Sequence, residues 1–480
     1  MNALKVFSLI GLLLYFVVLL AAVTKEKKNH TVLDYFFAGR SLPYWALSIT
    51  FIASWWGAGS ALSTADLAYG DGLGAFWYYG VPVLLSTFLM MLCAAGIRRV
   101  GYLTQGKMME ARYSPAVAKL LSLLVLIFMV FNAASQMVGV GEFFGTYLGL
   151  SYEVAVLAGT LIVLIYSMFG GFRGVVLTDI IQFVLLLLSA LAVFGVGFHE
   201  AGGLAGIAAA AQSAGKTGYL SIGAGASKYS MYVITFGCAW MIQANVWQRI
   251  SAARSDRDAR RMTVMSFFAY IPLYLIVVLT GMAGLVLYPA LPEGGVVTAI
   301  VLDYMSPLLG AVVFIGISAA IMSTMDSLLN TASMTLVLDL LPPSGDEDKQ
   351  LARSRMTTLL VTAVALLISL RIRSILEISW MASDIITTGV FVPLVLGFLW
   401  RRGNTWGALA SLGSGLVYCL YNLAIGAGLP LPSFWQAQSA QQVLLGVSLS
   451  LVMYVGVSLC TPAETDKADA FIRQAGFRKL

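Results

Sequence analysis

Two adjacent hydroxyl side chains, Ser323 and Thr324, stand in the middle of a long apolar stretch, with Ala320 one helical turn before them. Sodium is a hard cation that prefers oxygen ligands, so these hydroxyls and the Ala320 carbonyl could form one side of a cation site. Carbonyls of an interrupted helix near Ala53 and Trp56 would supply the other side. The alternative is that each hydroxyl bonds a preceding carbonyl of its own helix.

Two acids, Asp179 and Asp326, also lie within apolar stretches. A carboxylate inside a bilayer is costly unless it is paired, hydrated or protonated. Neither acid has an obvious basic partner within its own predicted helix. A bound cation would satisfy both, and we therefore expect these acids to lie near a cation site.

Small and polar residues interrupt two of the apolar stretches. The stretch 43–69 contains Ser54, Gly57, Gly59 and Ser60, and the stretch 229–250 contains Gln243, Asn245 and Gln248. Secondary transporters often bind their ligands where two helices, at matching places in inverted repeats, lose their regular backbone. The two stretches are the second and the seventh along the chain, which is the spacing of two five-helix repeats. The alternative is that such clusters only allow helices to pack closely.

Other chemistry has little support in the sequence. The four cysteines lie in apolar runs without metal or redox spacing, and the two histidines, His30 and His199, stand at segment ends. The sequence contains no GxxxxGK[ST] phosphate loop, so ATP hydrolysis within this chain is excluded. No nucleophile–base pair is visible either. We therefore predict neither an enzyme nor a nucleic-acid-binding protein.

The elements that must position these residues are membrane helices. Charged residues make up 11% of the chain, against about 25% in soluble proteins, so a bilayer is its natural solvent. Apolar runs long enough to span a bilayer number about thirteen. They lie near 6–23, 43–69, 75–97, 116–146, 153–171, 175–198, 229–250, 262–288, 308–339, 356–371, 375–400, 404–425 and 441–460.

These runs predict an all-α, polytopic protein with a single transmembrane domain over residues 1–480. Its core repeats would cover about 43–198 and 229–400, with peripheral helices at 6–23, 404–425 and 441–460. Basic residues set the orientation. With the N-terminus outside and the C-terminus inside, only five of the 29 basic residues fall on the outer side, namely Lys5, Lys216, Lys228, Arg371 and Arg373. We expect a multi-pass protein of the inner (plasma) membrane.

Four motifs together carry a family resemblance. They are DYFFAGRSL at 34–42, GGFRGVVLTDIIQ at 170–182, AIMSTMDS at 320–327 and the pair Gln248-Arg249. With them the sequence resembles the sodium/solute symporter family, which includes proline, sialic acid, sodium–glucose and choline transporters. The resemblance covers nearly the whole chain.

The resemblance implies a LeuT-like fold of inverted five-helix repeats, with Na⁺ as the coupling ion. It implies a sodium site formed by the carbonyls of Ala53, Trp56 and Ala320 and the hydroxyls of Ser323 and Thr324. Some members have a second sodium site, which would fall on Asp179, Ser323, Asp326 and Ser327.

The first core helix looks most like the choline-transporter branch. Trp55 aligns with one aromatic face of a choline site, whereas the other cage positions fall on Leu84, Asn132 and Gln243. Such faces bind quaternary ammonium groups. The nearby Trp240 could replace a missing face, and so could Trp247.

We therefore expect a secondary active transporter that moves a small organic solute with sodium by alternating access. The solute could be a quaternary amine, an amino acid or a urea-like compound. Its predicted contacts are Trp55, Asn132, Gln136, Trp240 and Gln243. The alternatives are a proton-coupled symporter of the same fold, with Asp179 or Asp326 as the proton carrier, and a transporter-like sensor.

Overall fold

The computed structural model of the chain describes residues 3–25, 31–343, 345–426, 428–432 and 439–477. Helices account for almost all regular structure there, and the described residues contain no strand longer than the single bridge between Leu42 and Ala253. In the first half the helices are α1 (Ala3–Lys25), α2 (Val32–Phe37), α3 (Tyr44–Ala53), α4 (Thr64–Asp71), α5 (Gly80–Val100), α6 (Gln105–Arg112), α7 (Pro115–Leu148), α8 (Tyr152–Glu200), α9 (Gly203–Ser213) and α10 (Ala226–Met241). In the second half they are α11 (Ala244–Ala252), α12 (Asp256–Leu287), α13 (Val296–Tyr304), α14 (Pro307–Thr335), α15 (Glu347–Arg371), α16 (Ile375–Gly389), α17 (Phe391–Leu399), α18 (Thr405–Gly426), α19 (Ser439–Cys460) and α20 (Thr465–Ala475).

Local sequence signals start the two long helices that hold the centre of the molecule. Both α7 and α14 have proline at the first helical position, after a serine whose hydroxyl accepts a backbone hydrogen bond. Serine satisfies one of the free N–H groups of the first turn, and proline has no N–H to satisfy. The cap of α14 is Ser306, which accepts from Leu309 N. These caps fix where each helix enters the core.

Within the described residues, nine helices are long and apolar enough to cross a bilayer, and the bent pair α16–α17 would make a tenth. Two shorter apolar helices, Tyr44–Ala53 and Tyr152–Met168, add to these. The second of them is part of α8, which turns at Gly171, where φ is +53°. Such a backbone suits glycine, and it separates the predicted runs 153–171 and 175–198. The all-α class is thus confirmed, while the number of about thirteen spans stays a prediction.

The first predicted interruption is present in the structure. Helix α3 ends at Ala53, and the chain resumes helical geometry at Ala58 before a π-helical turn, Gly59–Ser63, that leads into α4. Residues 54–57 between them are not helical. The break lies within the run 43–69, at the Gly/Ser cluster.

The second predicted interruption is also present, at Ile242 and Gln243 between α10 and α11. Of the polar residues that follow it, Gln248 donates to Phe36 O (2.8 Å) and to Asn330 Oδ1 (3.0 Å). The buried amide of Asn245 has no hydrogen-bond partner among the described residues. The two breaks are the features on which the central site is built.

Helix α14 lies at the centre, packed against α1, α7, α8 and α15. Almost every residue of α14 from Val313 to Thr335 is buried. Helix α12 packs against α3, α4 and α5, and α16 packs against α7, α10, α18 and α19. The first broken helix therefore contacts α12 and α14, and the second contacts α16 and α14.

Three of the basic residues predicted to lie outside have polar partners in the structure. Lys228 pairs with Asp71 (2.7 Å), Lys216 donates to Gly70 O (2.7 Å), and Arg373 pairs with Glu153. Four residues assigned to the inner side, Lys27, Lys28, Arg478 and Lys479, lie outside the described residues. Which end faces the cytoplasm stays a prediction.

Candidate functional site

Oxygen atoms from two helices meet at the first break. The Thr324 hydroxyl on α14 lies 3.1 Å from Ala53 O, the last carbonyl of α3, and 3.3 Å from Ala320 O, one turn earlier on its own helix. Because α3 stops at Ala53, that carbonyl is not consumed by a continuing helix. Three of the five predicted sodium ligands are thus in contact, since the Thr324 hydroxyl touches the carbonyls of Ala53 and Ala320. The contact to Ala320 O is the intrahelical bond that the alternative interpretation expected.

The other two predicted ligands lie beside this group. Ser323 Oγ donates to the carboxylate of Asp179 on α8. Trp56 is 1% exposed and sits in the non-helical segment just after α3. Its indole ring packs on Tyr274, with centroids 4.9 Å apart. All five residues therefore border the same break, but only Ala53, Ala320 and Thr324 are in direct contact through their oxygens.

Asp179 has a basic partner that the sequence interpretation did not identify. Arg249 on α11 lies 3.3 Å from Asp179 Oδ2, and both side chains are fully buried. Thr50 on α3 also donates to Asp179, and Arg249 donates to Ser327 Oγ (2.7 Å). The orientation argument counts Arg249 among the basic residues of the inner side, whereas its side chain lies inside the core. Arg249 offsets the charge of Asp179, so this carboxylate does not require a bound cation as its counter-charge.

Asp326 differs from Asp179. Its Oδ1 accepts from Ser167 on α8, but its Oδ2 is buried without a hydrogen-bond partner among the described residues. No ion pair of the described residues includes it. Asp326 thus keeps one carboxyl oxygen that can accept a further hydrogen bond or contact a cation, next to the Asp179–Arg249 pair.

All five predicted solute contacts line one cavity of about 50 Å³ between the two breaks and α7. These are Trp55, Asn132, Gln136, Trp240 and Gln243. The cavity also reaches Thr324, so it adjoins the oxygen cluster. The structure brings the predicted residues together, while binding of a solute there stays a prediction.

The amides in this cavity hold the interrupted backbone. Gln136 Oε1 accepts from Ala58 N (2.8 Å), where the helix resumes after the first break. Gln243, in the second break, accepts from the indole N–H of Trp55. One break is thus joined to the other by a direct side-chain contact. A solute that competes for these amides would act on both breaks.

Aromatic rings close the other side of the cavity. Trp55 and Trp240 have centroids 6.3 Å apart, and Trp55 also stacks on Tyr270 at 6.1 Å. Of the two tryptophans considered as a replacement face, only Trp240 lines the cavity. Trp247 instead donates to Met241 O (2.8 Å) and packs on Phe398.

Sequence reasoning missed several polar residues that line the cavity. They are Ser54, Ser60, Tyr79, Tyr274 and Ser379. Ser60 and Tyr274 share a hydrogen bond of 2.7 Å. Ser54 and Ser60 belonged to the noted Gly/Ser cluster, which was a usable signal. Single tyrosines and serines in other apolar runs give no such signal.

Comparison with known proteins agrees with the motifs. The family model described as "Sodium:solute symporter family" matches residues 35–415. A sodium/glucose cotransporter of Vibrio parahaemolyticus is 23% identical over 92% of this chain and 88% of its own. A high-affinity proline transporter of Bacillus subtilis is 27% identical over 91% and 94%. A sodium/pantothenate symporter of Escherichia coli is 27% identical over 83% and 86%.

Solved structures show the same fold. A Na⁺-coupled sialic acid symporter, in a substrate-bound outward-open state, superposes with a TM-score of 0.78 at 18% identity, covering 95% of this chain and 98% of that one. A nucleobase-cation-symport-1 family transporter in a closed conformation superposes with a TM-score of 0.58 at 12% identity, covering 94% and 99%.

Proposed function

The chain belongs to the sodium:solute symporter family, and we propose that it carries a compact polar solute without net charge, bound beside a sodium ion held between α3 and α14. It is a sodium-coupled symporter of a small organic solute with a LeuT-like fold, a multi-pass membrane transporter and not an enzyme. The solute class and the binding residues are the proposal.

The observation that carries the sodium site is the position of the Thr324 hydroxyl, within 3.1–3.3 Å of carbonyls from two helices. A hydroxyl has one O–H to donate and two lone pairs, so it can donate to a carbonyl and still offer a lone pair to a cation. When sodium binds, the hydroxyl turns its lone pair to the ion, and Ala53 O and Ala320 O become fellow ligands. Trp56 O and Ser323 Oγ would complete the set.

Such a site couples sodium to the shape of the protein. The Ala53 carbonyl belongs to the interrupted helix and Thr324 to the central helix α14, so the ion joins two separate elements. A ligand shifts a conformational equilibrium only by its difference in affinity between states. Sodium would favour the state in which α3 stays against α14, and the Trp55–Gln243 contact would carry that preference to the solute cavity.

The solute class follows from the lining of the cavity. The lining residues offer amides, hydroxyls and indoles, and none of them is charged. An organic cation would lose its hydration with no opposite charge in return, and an organic anion would find only the sodium ion as a counter-charge. The other choline-cage positions in the lining, Asn132 and Gln243, are amides and not aromatic rings, which disfavours a quaternary amine. A urea-like compound or a small zwitterionic amino acid fits best among the three classes.

Thermal unfolding of the purified protein tests both parts, since a ligand stabilises the folded state to which it binds. Urea at millimolar concentration, acetamide, small amino acids, choline, betaine, sugars and carboxylates are compared in sodium and in potassium at one pH. We expect stabilisation by a net-uncharged compound in sodium only. If only choline or a net-charged compound stabilises, the solute class is wrong.

The same experiment addresses the alternatives left open by the sequence. Sodium alone is expected to raise the unfolding temperature; a protein that responds to lowered pH but not to sodium would be proton-coupled. Sodium-driven uptake in proteoliposomes then separates a transporter from a sensor, because a sensor would bind the compound without net flux.

A further inference from the structure

A second cavity of about 110 Å³ lies between α16, α18 and α19 and shares no lining residue with the central cavity. Helix α16 borders both cavities with different faces. Ser379 lines the central cavity, whereas Trp380 and Asp384 line the second one. The space is sufficient for several water molecules or one small organic group.

One wall of this second cavity is the carboxyl group of Asp384, which has one oxygen free to accept a hydrogen bond. Asp384 Oδ1 is buried and has no hydrogen-bond partner among the described residues. None of the ion pairs in the described part of the chain includes Asp384. The Trp380 side chain, one turn earlier on α16, lines the same cavity. An acid in an apolar helix is costly without a counter-charge, and such residues usually mark a site.

The remaining walls suit an organic cation. Tyr418 on α18 lines the cavity and is 5% exposed, and Trp380 on α16 lines it as well. Aromatic faces attract ammonium groups, most strongly when water is excluded. Asn422 Nδ2 already donates to Tyr418 O (2.9 Å), and Gln442 Nε2 donates to Asn422 Oδ1 (3.1 Å). Each amide oxygen has two lone pairs, so these side chains can still accept hydrogen bonds from a ligand that donates them.

We propose that this cavity binds a small organic ammonium ion, with Asp384 as its counter-ion and the Trp380 and Tyr418 rings as its walls. A metal ion fits less well, because the described residues hold no cluster of three or more His, Cys, Asp or Glu side chains. Aromatic rings are also poor ligands for a hard cation, which prefers oxygen. The proposal goes beyond the symport function and does not depend on it.

The two cavities are close enough that a test must separate them. Trp380 contacts Phe236 with centroids 5.7 Å apart, and Phe236 stacks on Trp240 at 4.9 Å. Trp240 lines the central cavity. Binding is therefore measured without sodium and without solute, because the proposed central site binds its solute only together with sodium.

The experiment is calorimetric titration of the purified full-length protein with methylammonium, ethylammonium and tetramethylammonium chloride. tert-Butanol serves as the uncharged counterpart of similar size. We expect an ammonium ion to bind and tert-butanol not to bind. Asp384→Asn should weaken ammonium binding about tenfold or more, because a hydrogen bond to a charged group is lost. Asp384→Glu should retain part of the affinity.

Two control variants test whether the loss of ammonium binding is specific to the second cavity. Asp339→Asn alters another buried acid, whose carboxylate already accepts from Thr104 (2.6 Å) and Ser122 (3.1 Å), and should leave ammonium affinity unchanged. Gln243→Ala alters the central cavity and should also leave it unchanged. If Asp384→Asn does not fold, Tyr418→Leu provides the test. It should weaken tetramethylammonium more than methylammonium, because it removes an aromatic face.

Two results would overturn the proposal. One is ammonium binding that is equal in the wild type and in Asp384→Asn. The other is a wild type that binds no ammonium ion while Asp384→Asn is equally stable, which would mean that the carboxyl is simply protonated. Neither result bears on the sodium-dependent stabilisation that tests the symport site, so the two proposals fail separately.

Discussion

Replacing Thr324 with valine removes one oxygen atom between α3 and α14 and keeps the shape of the side chain. In the structure that oxygen lies 3.1 Å from Ala53 O and 3.3 Å from Ala320 O, so it is the atom that links the two halves of the proposed cage. A hydrogen bond to a charged group contributes about 1.5–3 kcal/mol. If the ligand contact is of that order, sodium affinity should fall about 10- to 150-fold.

The assay is the sodium concentration that gives half-maximal solute uptake in proteoliposomes, at fixed pH, solute concentration and membrane potential. The matched control is Thr335→Val on the same helix. Thr335 is 2% exposed and its hydroxyl makes the same type of intrahelical bond, to Thr331 O at 3.0 Å. Thr324→Ser, which keeps the hydroxyl, should retain most of the sodium affinity.

The reasoning is refuted if Thr324→Val and Thr335→Val have the same half-saturating sodium concentration while both transport. That result would mean that the hydroxyl only closes its own helical turn, as isolated threonines in membrane helices do. A parallel loss of folding in both variants is detected by the unfolding temperature without sodium, which should be similar for the two.

Two further changes test the surroundings of the site. In Gly57→Ala the new methyl group would lie 2.1 Å from Gln136 Oε1, so the amide must move and solute-dependent stabilisation should weaken about tenfold. Gly70→Ala is the control, because a methyl group there has no atom within 4 Å. Equal solute affinity in the two variants would exclude Gln136 from the site. Arg249→Met leaves Asp179 unpaired in the core and should lower the free energy of unfolding by about 3–5 kcal/mol. Adding Asp179→Asn should cost less than the sum of the single changes in denaturant titrations, and strict additivity would show that the pair is not coupled.

The positions of both helix breaks could be predicted from the sequence because the signals are local. A cluster of glycines and serines weakens a membrane helix wherever it occurs, and amides in an apolar run require polar partners. Ala53 and Gln243 therefore lie within two residues of the predicted interruptions. The five solute contacts follow from the same breaks together with the motif resemblance.

The partner of Asp179 could not be found in this way. Arg249 is 70 positions away and lies on a different helix, α11. Spacing within one helix reveals neighbours three or four positions apart, but not contacts between helices. The helices α9 and α13 lie between the predicted spans and were not predicted. They are too short to give the apolar run that predicts a span.

The contact between Trp55 and Trp240 also has a spectroscopic consequence. Two indoles with centroids 6.3 Å apart, fixed at 44° to each other in a buried site, form an asymmetric chromophore pair. Rigidly packed aromatic rings give a near-ultraviolet circular dichroism signal that is lost when packing loosens. Because one ring belongs to each interrupted helix, the relative rotation of the two helices would change this signal. A change in near-ultraviolet circular dichroism on addition of sodium or solute would therefore report movement between the two interrupted helices without an attached label.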